Sequence, residues 1–172
     1  MENYAKVVLY SYPLLKTVGK DYEDHIRNKA ILSYTGNVNT ERLAEYLAEE
    51  ILRKEKLEWL KTVIERIFKS LDEEERALLA IRYFGRSDKL KKWKAGAYCP
   101  EGKKAARSER QYFRLQNRLS EKVGAMLKRF GVTEEAFEKE YAYIDIFRRL
   151  KKLVDEGKDS KASRREKRAF EK

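Results

Sequence analysis

Seven side chains around the start of one helical segment have the types and spacing to do recognisable chemistry: Arg107, Ser108, Arg110, Gln111, Arg114, Asn117 and Arg118. An arginine guanidinium can pair with guanine through two parallel hydrogen bonds, and the Asn or Gln amide can do the same with adenine. A helix made only for packing has little reason to gather Arg, Gln and Asn at its N-terminal end, where the macrodipole disfavours cations. Six lysines stand just upstream, Lys89, Lys91, Lys92, Lys94, Lys103 and Lys104. Ammonium groups in such a cluster suit phosphates, which attract without reporting sequence. Together these thirteen residues are the candidate double-stranded-DNA contacts.

The charge is localised in the same region. The 172-residue chain carries +11, and between Arg82 and Arg118 twelve basic residues face three acids, a local +9. Residues 157–172 add +4, so the remainder sums to −2. A near-neutral scaffold with a basic middle and a basic end is the electrostatic footprint of a polyanion binder.

The elements that must hold these residues are helical. The start of the chain, through ENYAKVVLYSYPLLKTVGKDYEDHIRNKAILSY, reads as helix, with Pro13 starting or kinking a turn. TGNVNT supplies turn residues, and Asn39 or Thr40 is placed to cap the next helix. From Glu41 to about Lys69 the pattern is helical again, but its apolar face shifts near Arg53–Lys56, as one curved helix or two would require. Asp72 with Glu75, and Ser108 with Gln111, have capping-box spacing. A short helix over Asp88–Ala95 ends at Gly96 and is followed by a loop through AYCPEGKK. The helix from Ser108 carries an apolar stripe of Tyr112, Leu115, Leu119, Val123, Met126 and Phe130, and a basic one of Arg110, Arg114, Arg118 and Lys122. Thr133 caps a last helix bearing Phe137, Tyr141, Ile144, Phe147, Leu150 and Val154.

Two capped helices separated by a short helix and a basic loop suggest a helix-turn-helix, in which one helix enters the major groove. The segment LDEEERALLAIRYFG is similar to the helix that opens the C-terminal, promoter-reading domain of bacterial sigma factors. SERQYFRLQNRLSEKVGAMLKRFGV resembles the recognition helix of that domain and of ArpU-like phage transcriptional regulators. The resemblance spans about residues 68–131. Leu71, Glu75, Arg76, Leu79, Arg82 and Tyr83 match the opening helix, and Ser108, Tyr112, Arg114 and Leu119 match the reading helix. Where the family has a compact supporting helix and turn, this chain has the longer, very basic SDKLKKWKAGAYCPEGKKAARS. Either Lys89–Ala95 is the supporting helix, packed through Leu90 and Trp93, or the motif is remodelled.

The expected fold is therefore all-α. Residues 1–70 form a helical segment for interaction or dimerisation. Residues 71–156 form a sigma-like helix-turn-helix DNA-binding domain with a C-terminal helix, and residues 157–172 a basic, disordered tail. The expected function is a sequence-specific double-stranded-DNA-binding transcriptional regulator, sigma-like or phage-type. RNA polymerase and a second copy of the chain, as a homodimer, are the further partners. Two alternatives stand beside it: a DNA-packaging (small-terminase-like) or recombination accessory protein, and a helical adaptor that binds RNA polymerase or an acidic partner without touching DNA.

Other chemistry finds little support in the residues. The one histidine, His25, has acids nearby but no second His and no Cys pair, so neither a metal site nor a general base is expected. Cys99 reads as a neutral loop cysteine, and Glu73-Glu74-Glu75 as helix-start acids complementing the dipole. No phosphate-binding glycine loop, dinucleotide fingerprint or catalytic triad is present. The chain is expected not to be an enzyme, to need no cofactor, and to be cytoplasmic, with no secretory signal in MENYAKVVLY and no apolar run long enough for a membrane.

Overall fold

The computed structural model describes residues 1–33, 39–86, 88–98 and 107–157. Among them every regular element is an α-helix: α1 (Asn3–Ser33), α2 (Thr40–Ser70), α3 (Glu73–Tyr83), α4 (Asp88–Lys94), α5 (Glu109–Arg129), α6 (Glu134–Glu140) and α7 (Asp145–Asp155). None is long and apolar enough to cross a membrane. Lys103, Lys104, Cys99 and the tail beyond Gly157 lie outside the described residues, as does most of TGNVNT.

The helix starts follow from side-chain chemistry. An N-terminal turn leaves amides without intrahelical acceptors, and a short polar side chain can supply one. Asn39 Oδ1 accepts from the amides of Glu41 and Arg42 at 3.0 and 3.3 Å, which settles the cap of α2. Asp72 and Ser108 each form a reciprocal capping box, with Glu75 and Gln111. Thr133 Oγ1 accepts from the Ala136 amide at 3.2 Å. Helix ends use glycine in the left-handed region, where a Cβ would be strained: Gly96 has φ 74° and Gly131 φ 79°.

Two compact units result. One comprises Met1–Ser11 and the described residues from Ile64 onward; the other is Tyr12–Val63. They group the chain differently from the division at residue 70 read from the sequence, because the first eleven residues pack with the C-terminal helices. Tyr4 lies 6.2 Å, ring to ring, from Phe137, whose ring is in turn 5.6 Å from Phe147. Asn3 Nδ2 donates to Asp155 Oδ1 at 3.1 Å, and Lys128 pairs with Glu2 at 3.0 Å. In the same unit α3 packs against both α4 and α5.

In the second unit α1 and α2 run antiparallel. Glu23 meets Lys54 at 3.5 Å, and His25 Nε2 meets the Tyr46 hydroxyl at 2.7 Å. Pro13 lies inside α1 and does not start it. Its ring nitrogen carries no hydrogen to donate to the Leu9 carbonyl one turn earlier. The segment from Glu41 is one helix, not two.

Two expectations are corrected. The last helix is broken into α6 and α7 by a turn in which the Ile144 amide donates to the Tyr141 carbonyl at 2.9 Å. The break lets Phe137, Tyr141 and Phe147 pack on one another, with Tyr141 and Phe147 5.6 Å apart. A continuous helix would spread those rings along one side. On α5 the buried face is Tyr112, Gln116, Leu119, Val123 and Leu127, while Phe130, expected in the stripe, is 36% exposed at the helix end.

Candidate nucleic-acid interface

Helix α5 presents two opposite faces. At about 100° per residue, Arg110, Arg114, Asn117 and Arg118 fall on the side away from Tyr112, Leu119 and Val123. All four are exposed, and no ion pair joins the three arginines to another described residue. Desolvating three guanidiniums against the core would be costly, so burial of the apolar face forces them outward. They therefore present their donors as an open, positively charged row over about two and a half turns.

The buried face is fixed by more than apolar packing. Gln116 Nε2 donates to the Leu78 carbonyl at 2.7 Å and lies 3.1 Å from the Tyr112 hydroxyl. That amide ties α5 to α3 at a set rotation. A buried hydrogen bond of this kind is costly to break, so the outward row is held at a set angle as well.

A second tie comes from Glu74. Its Oε1 accepts from Trp93 Nε1 at 3.0 Å and pairs with Arg107 at 2.8 Å, and the Arg107 guanidinium lies 5.5 Å over the Trp93 ring. Trp93 also meets Tyr112 edge-on at 5.3 Å. One carboxylate from α3 thus joins α4 to the residue just before the α5 cap. The Arg107 amide donates to the Lys94 carbonyl at 3.0 Å, which brings the start of α5 to the end of α4.

The expected contacts are therefore placed unequally. Arg110, Arg114, Asn117 and Arg118 share one exposed face. Lys91 and Lys92 are exposed on α4, opposite its buried Leu90 and Trp93, while Lys89 and Lys94 are half-buried. Arg107 is half-buried in the Glu74–Trp93 cluster, where it orients α5. Ser108 and Gln111 are held in the cap, the Gln111 Oε1 accepting from the Ser108 amide at 2.8 Å. Lys122, read as the fourth member of the basic row, instead sets its Nζ 2.7 Å from both carboxylate oxygens of Glu75. Lys103 and Lys104 lie outside the described residues.

Glu74 and Gln116 were not singled out in the sequence. Glu74 reads as one of three helix-start acids, and nothing local distinguishes it from its neighbours. Gln116 did leave a signal: it stands one turn from both Tyr112 and Leu119, inside the apolar arc. Among the described residues no group of His, Cys, Asp and Glu could hold a metal ion. No protein-family model, curated protein or solved structure matches the chain.

Proposed function

We propose that the protein is a sequence-specific double-stranded-DNA-binding transcriptional regulator of the sigma-like or phage type, in which α3, α4 and α5 act as a helix-turn-helix unit. Helix α5 enters the major groove. Arg110, Arg114 and Asn117 address base edges, Arg118 completes the row, and Lys91 and Lys92 on α4 meet phosphates. The observation that carries this reading is the opposition on α5: a core-locked face through Tyr112, Gln116 and Leu119, and an unpaired Arg/Asn face behind it. A duplex supplies what such a face lacks, namely anions at the rim and acceptors in the groove.

The segment between α3 and α5 suits the same role. Its short helix α4 packs through Leu90 and Trp93, leaving its outward lysines toward solvent. This packing supports the reading of α4 as the supporting helix of the motif. RNA polymerase is the protein partner that the sigma-like reading implies.

Selection of bound fragments from a random duplex library tests the proposal. An enriched sequence, with affinity well above that for unselected duplex, supports it. Retention of every fragment equally, or of none, contradicts it.

A further inference from the structure

The basic row on α5 ends in an acid. At about 100° per residue, Glu121 falls within about 20° of the lines of both Arg110 and Arg114. It is exposed, and no hydrogen bond or ion pair joins it to another described residue. Arg118 stands three positions earlier, a spacing that allows an ion pair on a helix, yet the two are not paired. Lys122, its neighbour in the chain, is taken by Glu75 at 2.7 Å. The next turn of the same side is small, with Gly124 and Ala125 to either side of the Glu121 line. Glycine inside a helix is destabilising relative to alanine. A Cβ at Gly124 would meet nothing within 4 Å, so packing inside the chain does not call for a glycine there. Close approach by something outside the chain would.

We propose that Glu121 reads a cytosine amino group in the bound duplex and so sets specificity at one position. This rests on the reading in which α5 enters the major groove. A free carboxylate on a polyanion-binding face is a cost, because phosphates only repel it. The floor of the major groove offers it something else, the amino groups of cytosine and adenine. Of the two, cytosine suits a carboxylate. Adenine sets the N7 acceptor beside its amino group, and guanine and thymine present only acceptors or a methyl group there. The helix also fixes where the cytosine stands. Glu121 lies seven residues beyond Arg114 on nearly the same line, about 10 Å along the axis. At 3.4 Å per base pair that is about three base pairs from the guanine addressed by Arg114.

Selection of bound fragments from a random duplex library, run with the full wild-type chain, Glu121→Ala and Glu121→Gln, tests this. Anisotropy titrations on the selected site and on duplexes changed at single positions give the magnitudes. Wild type should enrich a cytosine about three base pairs from the guanine whose preference is lost in Arg114→Ala. Replacing that cytosine should weaken wild-type binding about tenfold. Glu121→Ala should cut this discrimination to about twofold and leave the guanine preference intact. Glu121→Gln should move the preference at the same position from cytosine to adenine, because an amide offers a donor as well as an acceptor. The position is exposed and both substitutes suit helices, so helix content by circular dichroism should stay unchanged. Two results overturn the inference while α5 still reads the groove. One is a Glu121→Ala motif identical to that of wild type. The other is tighter binding by Glu121→Ala to selected and random duplex alike, the mark of a carboxylate that only repels phosphates. If wild type itself enriches no sequence, the inference falls together with the proposed function.

Discussion

Arg107 and Glu74 are 33 positions apart in the chain and 2.8 Å apart in the structure, on a carboxylate that also accepts the Trp93 indole. The pair holds the residue just before the α5 cap against the first turn of α3, and so sets where α5 starts. Arginine at this position orients the exposed row from behind.

Removing that carboxylate should loosen two helices at once. Glu74→Ala leaves a buried indole N–H without its acceptor and is expected to lower stability by about 1–3 kcal/mol. Glu74→Gln keeps an acceptor for Trp93 and should cost less. Urea unfolding of the two variants, followed by affinity for a selected duplex, checks the order. Equal stability for wild type and Glu74→Ala would show that the cluster is not structural.

Ser108 heads α5, its side chain accepting from the Gln111 amide at 3.3 Å. Ser108→Ala should lower stability by about 1 kcal/mol, and duplex affinity should fall with it as the first turn frays. Ser108→Asp, which restores the cap, should recover stability, while its negative charge beside the exposed row keeps affinity low. Thermal unfolding and anisotropy measured on both variants separate the two effects.

Much of this framework is legible in the sequence, because caps, glycine stops and apolar periodicity are local. Asp72 with Glu75 and Ser108 with Gln111 are spaced as their capping boxes require, and Gly96 and Gly131 sit where the left-handed turns fall. What escapes is tertiary. No spacing rule connects Tyr4 with Phe137, and that aromatic pair is why the chain's first residues belong with its last helices. The break between α6 and α7 has the same origin, since ring packing overrides a pattern that is regular enough for one helix. Within the candidate interface the sequence reads residue types well and neighbours poorly. Lys122 looks like another free cation until Glu75, 47 positions earlier, is found beside it.

Alkaline pH should unfold the aromatic cluster before it ionises the native protein. Burial pushes the Tyr4 phenol up to about 12 and raises that of Tyr141 as well. In the unfolded chain both ionise near pH 10. The folded state then holds more protons than the unfolded one, so stability is intact below about pH 10 and falls as pH rises above it. For Tyr4 the loss continues to about pH 12. Urea midpoints from pH 8 to 12 should decline along this limb, and Tyr4→Phe should make the decline shallower. An identical slope in the variant would remove Tyr4 as a contributor.

Salt dependence gauges how much of the basic surface is used. With about five or six phosphate contacts, log K should fall against log salt with a slope of roughly −5. Replacing the exposed Lys91 by Ala should reduce that slope by about one unit. A slope near zero would mean that the positive face meets no polyanion.

Comparing Arg114→Ala with Lys91→Ala on two duplexes tests the central claim most directly. Arg114 stands in the middle of the α5 row, facing away from the buried Tyr112, whereas Lys91 lies on the outer side of α4. Anisotropy titrations on the selected duplex and on a random duplex of equal length should give a loss of about 1–3 kcal/mol for Arg114→Ala on the first and much less on the second. Lys91→Ala should weaken both alike. Equal losses for Arg114→Ala on both duplexes would contradict groove reading by α5 and would lay that helix across the phosphates instead.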